Sequence, residues 1–243
     1  MNIVCLVQAR MTSTRLPGKV MLKVRNIPMI GYLLHSLEKT SLIDNTVVIT
    51  TTNHQDDVLV EYLKKNNHEY FRGSESDVLE RYVLASEKYN ADLVVRITAD
   101  CPLIDPEIVD TVVKKSIDSN TDYTSNTIIR TYPDGYDVEV IKKTILDKIN
   151  GVLLKQDDRE HVTRHILNNL AKFSVTNVEA PSGRQHPEWR ITLDHKEDFI
   201  LIKEILESFP REYVIKYNDI INLFTKNPEL IYINSALSTY KKC

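Results

Sequence analysis

Four runs rich in β-branched residues, each followed by apolar residues at helical spacing, confine this 243-residue chain to an α/β architecture. Ile3 to Val7 is a continuous apolar run, as expected for a strand buried on both faces, and Pro28 then precedes Met29, Ile30, Leu33, Leu34 and Leu37. Thr46 to Thr52 is followed by Val58, Leu59, Tyr62 and Leu63. His68 to Phe71 empties into Arg72-Gly73-Ser74, with Ser76 as the expected cap of a helix carrying Val78, Leu79, Tyr82, Val83 and Ala85. Asp92 to Ile97 ends at Thr98-Ala99-Asp100-Cys101-Pro102, before a helix marked by Ile108, Val109, Val112, Val113 and Ile117. Such alternation predicts a largely parallel sheet covered on both faces, with ligands held beyond the carboxyl ends of its strands. The loops from Gln8, Arg72 and Thr98 all begin there.

The first of these loops, QARMTSTRLPGK from Gln8 to Lys19, is a candidate anion site. Met1 to Leu37 contains no Asp or Glu, yet holds Arg10, Arg15, Lys19, Lys23 and Arg25 in a chain of net charge -3. Two guanidiniums, an ammonium, the hydroxyls of Thr12, Ser13 and Thr14 and a Pro17-Gly18 turn offer many donors to one polyanion. Neither glycine-rich phosphate spacing, G-x-x-x-x-G-K-S/T or G-x-G-x-x-G, is present, so the grip must use side chains as well as backbone amides.

After Asn120 the pattern changes. Tyr123 to Ile129 and Gly135 to Ile141 read as strands around the turn at Tyr132 to Gly135, and Asp158 to Leu170 returns to helical spacing. We read 121–170 as an insertion within a single domain spanning 1–243. Phe173 to Val178 and Trp189 to Leu193 are further strand candidates, the second ending at Asp194. Helices are expected around Phe199 to Leu206 and Asn218 to Phe224, and the tail from Pro228 reads as peripheral.

Asp100 and Asp194 each follow a strand toward the edge where the basic loop lies, and two carboxylates together with phosphate oxygens suit Mg²⁺. Asp134, Asp137 and Glu139 form an acidic cluster suited to a polar acceptor, with His161 as a further candidate contact. Trp189 and Cys101 read as core. The near-neutral charge balance excludes a general nucleic-acid binder, and no run approaches the ~20 apolar residues of a membrane helix. Cys5, Cys101 and Cys243 are too widely spaced for a disulfide framework or C-x-x-C metal site. A reducing, cytoplasmic setting is expected, with no signal peptide at Met1-Asn2.

With these residues in place, the chain resembles the cytidylyltransferase family that activates acidic sugars, most closely a branch named for spore-coat polysaccharide biosynthesis. The resemblance covers nearly the whole chain. Its motifs are QARMTSTRLPGK, RGSESDVLERY (72–82), VVRITADCPLIDP (94–106), YPDGYDVEV (132–140), REHVT (159–163) and WRITLDHKEDF (189–199). It implies a glycosyltransferase-A-like fold with a mixed, mostly parallel sheet, and a homodimer formed through the β-rich insertion. It further implies attack of an acceptor oxygen on the α-phosphorus of CTP, with Arg10, Ser13, Arg15 and Lys19 on the triphosphate and Asp100 and Asp194 on Mg²⁺. Nucleotide contacts are expected at Gln8, Ala9, Arg10, Ser13, Arg15, Lys19, Arg72, Gly73, Thr98 and Ala99, with Lys19, Arg10, Arg15 and Asp100 catalytic. Acceptor contacts are expected at Asp134, Asp137, Glu139 and His161. Thr98-Ala99 stands where the sugar-acid enzymes carry glutamine and glycine. A sugar transferase of this fold would show Asp-x-Asp at the metal, whereas this chain has Ala99-Asp100-Cys101. Nucleotidyl transfer is therefore the favoured expectation, with a glycosyltransferase or a silent nucleotide-sugar binding protein as alternatives.

Overall fold

A computed structural model describes residues 1–152 and 155–238, so Cys243 lies outside the described residues. The chain opens with β1 (Ile3–Gln8), the hairpin β2 (Lys23–Val24) and β3 (Ile27–Pro28), and α1 (Met29–Leu37). Next come β4 (Asn45–Thr51), α2 (Asp57–Lys65), β5 (Glu69–Gly73), α3 (Val78–Lys88), β6 (Leu93–Thr98) and α4 (Pro106–Ser119). Asp77, rather than Ser76, caps α3 by accepting from Glu80 N. Beyond Asn120 lie β7 (Tyr123–Ser125), β8 (Glu139–Lys142), α5 (Lys143–Asn150), α6 (Gln156–Glu160) and α7 (Arg164–Leu167). The chain then forms β9 (Val175–Asn177), α8 (Lys196–Glu207) and α9 (Tyr217–Lys226).

Seven strands form one mixed sheet in the order β5-β4-β1-β6-β8-β7-β9. The pairs joining β5, β4, β1 and β6 are parallel, β8 is antiparallel to both β6 and β7, and β7 runs parallel to β9. The first four strands therefore end at one edge, where Gln8 pairs in register with Thr98. Alternation along β1 sends Ile3, Cys5 and Val7 into one core with α1, α4, α8 and α9, and Val4 and Leu6 into another with α3 and α5. Each face of the sheet is thus covered.

Two further sequence expectations differ from the structure. Trp189 to Leu193 does not join the large sheet: Arg190 makes an isolated bridge to Asp134, and Leu193 N donates to Asp100 O. The expected helix over 158–170 breaks at His161 (φ -104, ψ 55), where α6 ends, before α7 resumes at Arg164. No helix among the described residues is long and apolar enough to cross a membrane.

Candidate nucleotide site

The loop after β1 is shaped by buried partners before any ligand is considered. The Asp56 carboxylate, fully buried, accepts from Met11 N at 2.7 Å and also holds Thr50 and Thr51. Gly18, at φ 71, donates its N–H to Met11 O at 2.9 Å, closing a turn in the left-handed region that glycine enters without a Cβ penalty. That closure starts the short 3-10 turn at Lys19 and sends the lysine side chain inward. Glu75 accepts from Thr12 and Asn53 and lies 3.8 Å from Arg10, tethering the other limb of the loop.

A cavity of about 270 Å³ opens between this loop and the end of β6. Gln8, Ala9, Arg10, Ser13, Arg15, Lys19, Thr98, Ala99 and Asp100 line it, together with Arg96, Glu160 and His161. At its edge Lys19 Nζ stands 3.0 Å from Asp100 Oδ2 and 2.8 Å from Asp194 Oδ1, and Arg15 reaches Asp194 at 2.9 Å. Burial disfavours the ammonium, but the two carboxylates outweigh it and raise the Lys19 pKa. Burial likewise works against ionised Asp194, yet Lys19, Arg15 and Arg190 hold its pKa below the usual carboxylate value. Both carboxylates therefore converge on one cation.

A second cavity, about 250 Å³, adjoins the first and shares Arg96 and Thr98 with it; Thr127, Arg130, Asp137 and Glu139 complete its lining. Arg130 grips Asp137 bidentately at 2.6 and 2.7 Å. Arg96 lies opposite Glu139 across β6 and β8 and pairs with it, while Tyr123 donates to Glu139 at 2.5 Å. Two compartments thus meet at Arg96 and Thr98.

A sequence model of the cytidylyltransferase family matches residues 4–234. The chain belongs to this family. It is 33% identical over 233 residues to spore coat polysaccharide biosynthesis protein SpsF of Bacillus subtilis, covering 94% of this chain and 96% of that one. A solved cytidylyltransferase from Leptospira borgpetersenii superposes with a TM-score of 0.89 at 33% identity, covering 100% of this chain and 99% of the other. CMP:2-keto-3-deoxy-manno-octonic acid synthetase, solved with CTP, shares the fold at a TM-score of 0.64 and 15% identity, over 86% of this chain and 99% of that one. The fold is that of the nucleotidyltransferases, and the family is one of enzymes.

Within this cytidylyltransferase-family fold, several expected contacts lie elsewhere. Arg72 turns away from the cavity because its guanidinium is committed to Thr51 O, Asn53 O and Asp57 at 2.8, 2.7 and 2.6 Å. Gly73 lies beneath it, where an added Cβ would meet Arg81 and Phe71 at 3.2 Å. Glu139 is 6% exposed and neutralised by Arg96, so it serves as that arginine's counter-ion before it can serve an acceptor. Asp134 pairs with Arg190 at 2.7 Å, and His161 lines the first cavity rather than the second. Burial and the Asp137 charge push the Asp134 pKa up to about 6 against the pull of Arg130 and Arg190.

Sequence reading missed Arg96, Arg130, Arg190 and Asp198. A signal was available for two of them: Arg96 in VVRIT and Arg190 in WRITL interrupt apolar runs, and a buried guanidinium requires partners. Arg190 has three, bonding Asp134, Asp194 and Asp198 at 2.7 to 3.2 Å. Arg130 and Asp198 gave no comparable pattern, since each lies in an ordinarily polar stretch.

Proposed function

We propose that this family member is a Mg²⁺-dependent cytidylyltransferase that transfers CMP from CTP to an oxygen of a sugar-like or other polar, anionic acceptor in surface polysaccharide biosynthesis. The observation that carries the reading is the gathering of Arg10, Arg15, Lys19 and Asp100 on one cavity, with Asp194 bonded to Lys19 from behind. The name of the Bacillus subtilis relative supports a role in polysaccharide biosynthesis, and the CTP complex of the octonic acid synthetase supports the nucleotide.

The donor set fits a hard divalent cation. Asp100 and Asp194 present carboxylate oxygens to one cation position, which Lys19 Nζ takes in this structure. No cluster of three or more His, Cys, Asp and Glu suited to a metal occurs among the described residues, so phosphate oxygens and water would complete the coordination. When bound, Mg²⁺ would neutralise charge on the phosphates and orient them. Arg10, Arg15 and Lys19 hold the triphosphate and stabilise the negative charge that grows on departing pyrophosphate, without reorganising at the moment of reaction. An acceptor hydroxyl forms the new bond to the α-phosphorus, the bond from that phosphorus to the β-phosphate oxygen breaks, and the hydroxyl proton leaves to solvent. No side chain acts as nucleophile.

The second cavity is our candidate acceptor chamber, bordered by Asp137 and Arg130 and sharing Arg96 and Thr98 with the first. The 121–170 segment supplies this wall and, in our reading, a homodimer arm.

The test is a thermal-shift panel of all four nucleoside triphosphates with Mg²⁺, followed by pyrophosphate release from CTP with candidate acceptors. CTP at 100 times its Kd should add about 2.7 kcal/mol, or roughly 5–10 °C in Tm for a chain of this size. Indifference to every triphosphate, or equal response to all four, sinks the reading.

A further inference from the structure

We propose that Arg190, Asp198 and Asn234 form a positioning frame that fixes Asp194 for the divalent cation, making the C-terminal segment through Asn234 part of the site. The inference rests on the reading of Asp194 as a metal ligand. Asp198 is fully buried, and its carboxylate accepts five N–H groups. Asp194 N and His195 N reach it at 2.9 Å, Arg190 Nε and NH2 at 3.0 and 3.1 Å, and Asn234 Nδ2 at 2.8 Å. Arg190 NH2 in turn donates to Asp194 Oδ2 at 3.2 Å, leaving Oδ1 toward Lys19 and Arg15. One carboxylate oxygen faces the frame and the other faces the cation.

Asn234 is the keystone on the distal side. It is 3% exposed, and its single amide nitrogen also donates to Arg190 O at 2.9 Å, tying the backbone of one partner to the carboxylate of the other. The 3-10 stretch Pro228–Ile233 leads into it while packing on α8 and α9, so the residue arrives with its backbone already placed. Without that amide, Asp198 loses a donor and Arg190 O loses its side-chain partner inside a buried network, where such groups are costly to leave unmatched. Outer-shell groups of this kind influence metal affinity by about 10- to 100-fold.

The experiment measures Mn²⁺ binding by electron paramagnetic resonance, in the presence of CTP, on the full-length protein and the variants Asn234→Ala, Asp194→Asn and Leu206→Ala. Leu206 is a buried residue of α8 outside the frame and serves as a control for lost stability. We expect Asn234→Ala to weaken Mn²⁺ about tenfold, Asp194→Asn to weaken it at least as much, and Leu206→Ala to leave it unchanged. The metal-free thermal shift by CTP in EDTA should survive in Asn234→Ala. Unchanged Mn²⁺ affinity in Asn234→Ala, with affinity lost in Asp194→Asn, overturns the frame alone. Unchanged affinity in Asp194→Asn overturns the underlying ligand assignment, and an equal loss in Leu206→Ala assigns Asn234 a purely structural role.

Discussion

Lys19 carries two tasks with one ammonium. It neutralises Asp100 and Asp194 in the structure at hand, and in the proposed reaction it faces the triphosphate. Its replacement should therefore act on chemistry more than on affinity. For Lys19→Ala we expect kcat to fall about 10²- to 10³-fold while KM for CTP moves only a few-fold. Steady-state kinetics check this, and full turnover in the variant would remove Lys19 from the transition state. Asp134 gives a second prediction at this scale. Its folded pKa of about 6 lies above the unfolded value near 3.8, so the folded state keeps a proton that the unfolded state has lost. This residue's contribution to stability is thus greatest below about pH 4 and is lost as pH rises to about 6. With its side chain one-third exposed, the swing is about 1–2 kcal/mol after allowance for screening. Urea unfolding at pH 4.5 and 7 should show most of that component in the parent protein and none of it in Asp134→Asn.

Among the elements, the turn at Pro133 to Tyr136 places the acidic cluster against the segment before Asp194. Gly135 adopts φ 114, and an added Cβ would stand 2.6 Å from Ile191 C and 2.7 Å from Thr192 N. Backbone packs on backbone there, with Asp134 N donating to Trp189 O and Ile191 N donating to Asp134 O across the contact. Gly135→Ala should destabilise by at least about 2 kcal/mol, read by urea unfolding, because strain and overlap act together. A variant within 0.5 kcal/mol of the parent would show that the contact opens easily. This contact also marks where sequence reading stops. β1, β4 and β6 are legible because burial on both faces demands runs dominated by apolar and β-branched residues, and the basic loop is legible because cations without acids stand out over 37 residues. The sheet position of β8, the break at His161 and the burial of Asn234 are not. The first and last are decided by partners far along the chain, Arg96 for Glu139 and Asp198 for Asn234. Arg72 looks like a ligand contact in sequence for the same reason, since its partners Thr51 and Asn53 are backbone carbonyls.

For the whole molecule, the mixed sheet divides the labour. Its parallel half delivers Gln8 and Thr98 to the first cavity, and its antiparallel extension delivers Glu139 to the adjoining one. The proposed dimer arm includes that extension. There Ile129 is 59% exposed, yet its backbone is fixed on both sides, N–H to Asn177 Oδ1 at 3.0 Å and carbonyl from Asn177 Nδ2 at 3.2 Å. An apolar side chain held rigidly beside the edge strand β9 is suited to burial against a second copy. In a two-fold interface one substitution acts twice, so Ile129→Glu should weaken association by about 3 kcal/mol or more, roughly 100-fold in Kd. Light scattering across a dilution series should give twice the 28.1 kDa chain mass for the parent and a single chain for the variant at micromolar concentration. A monomeric parent would dismiss the arm, whereas a variant that stays dimeric with unchanged Kd would move the interface away from Ile129.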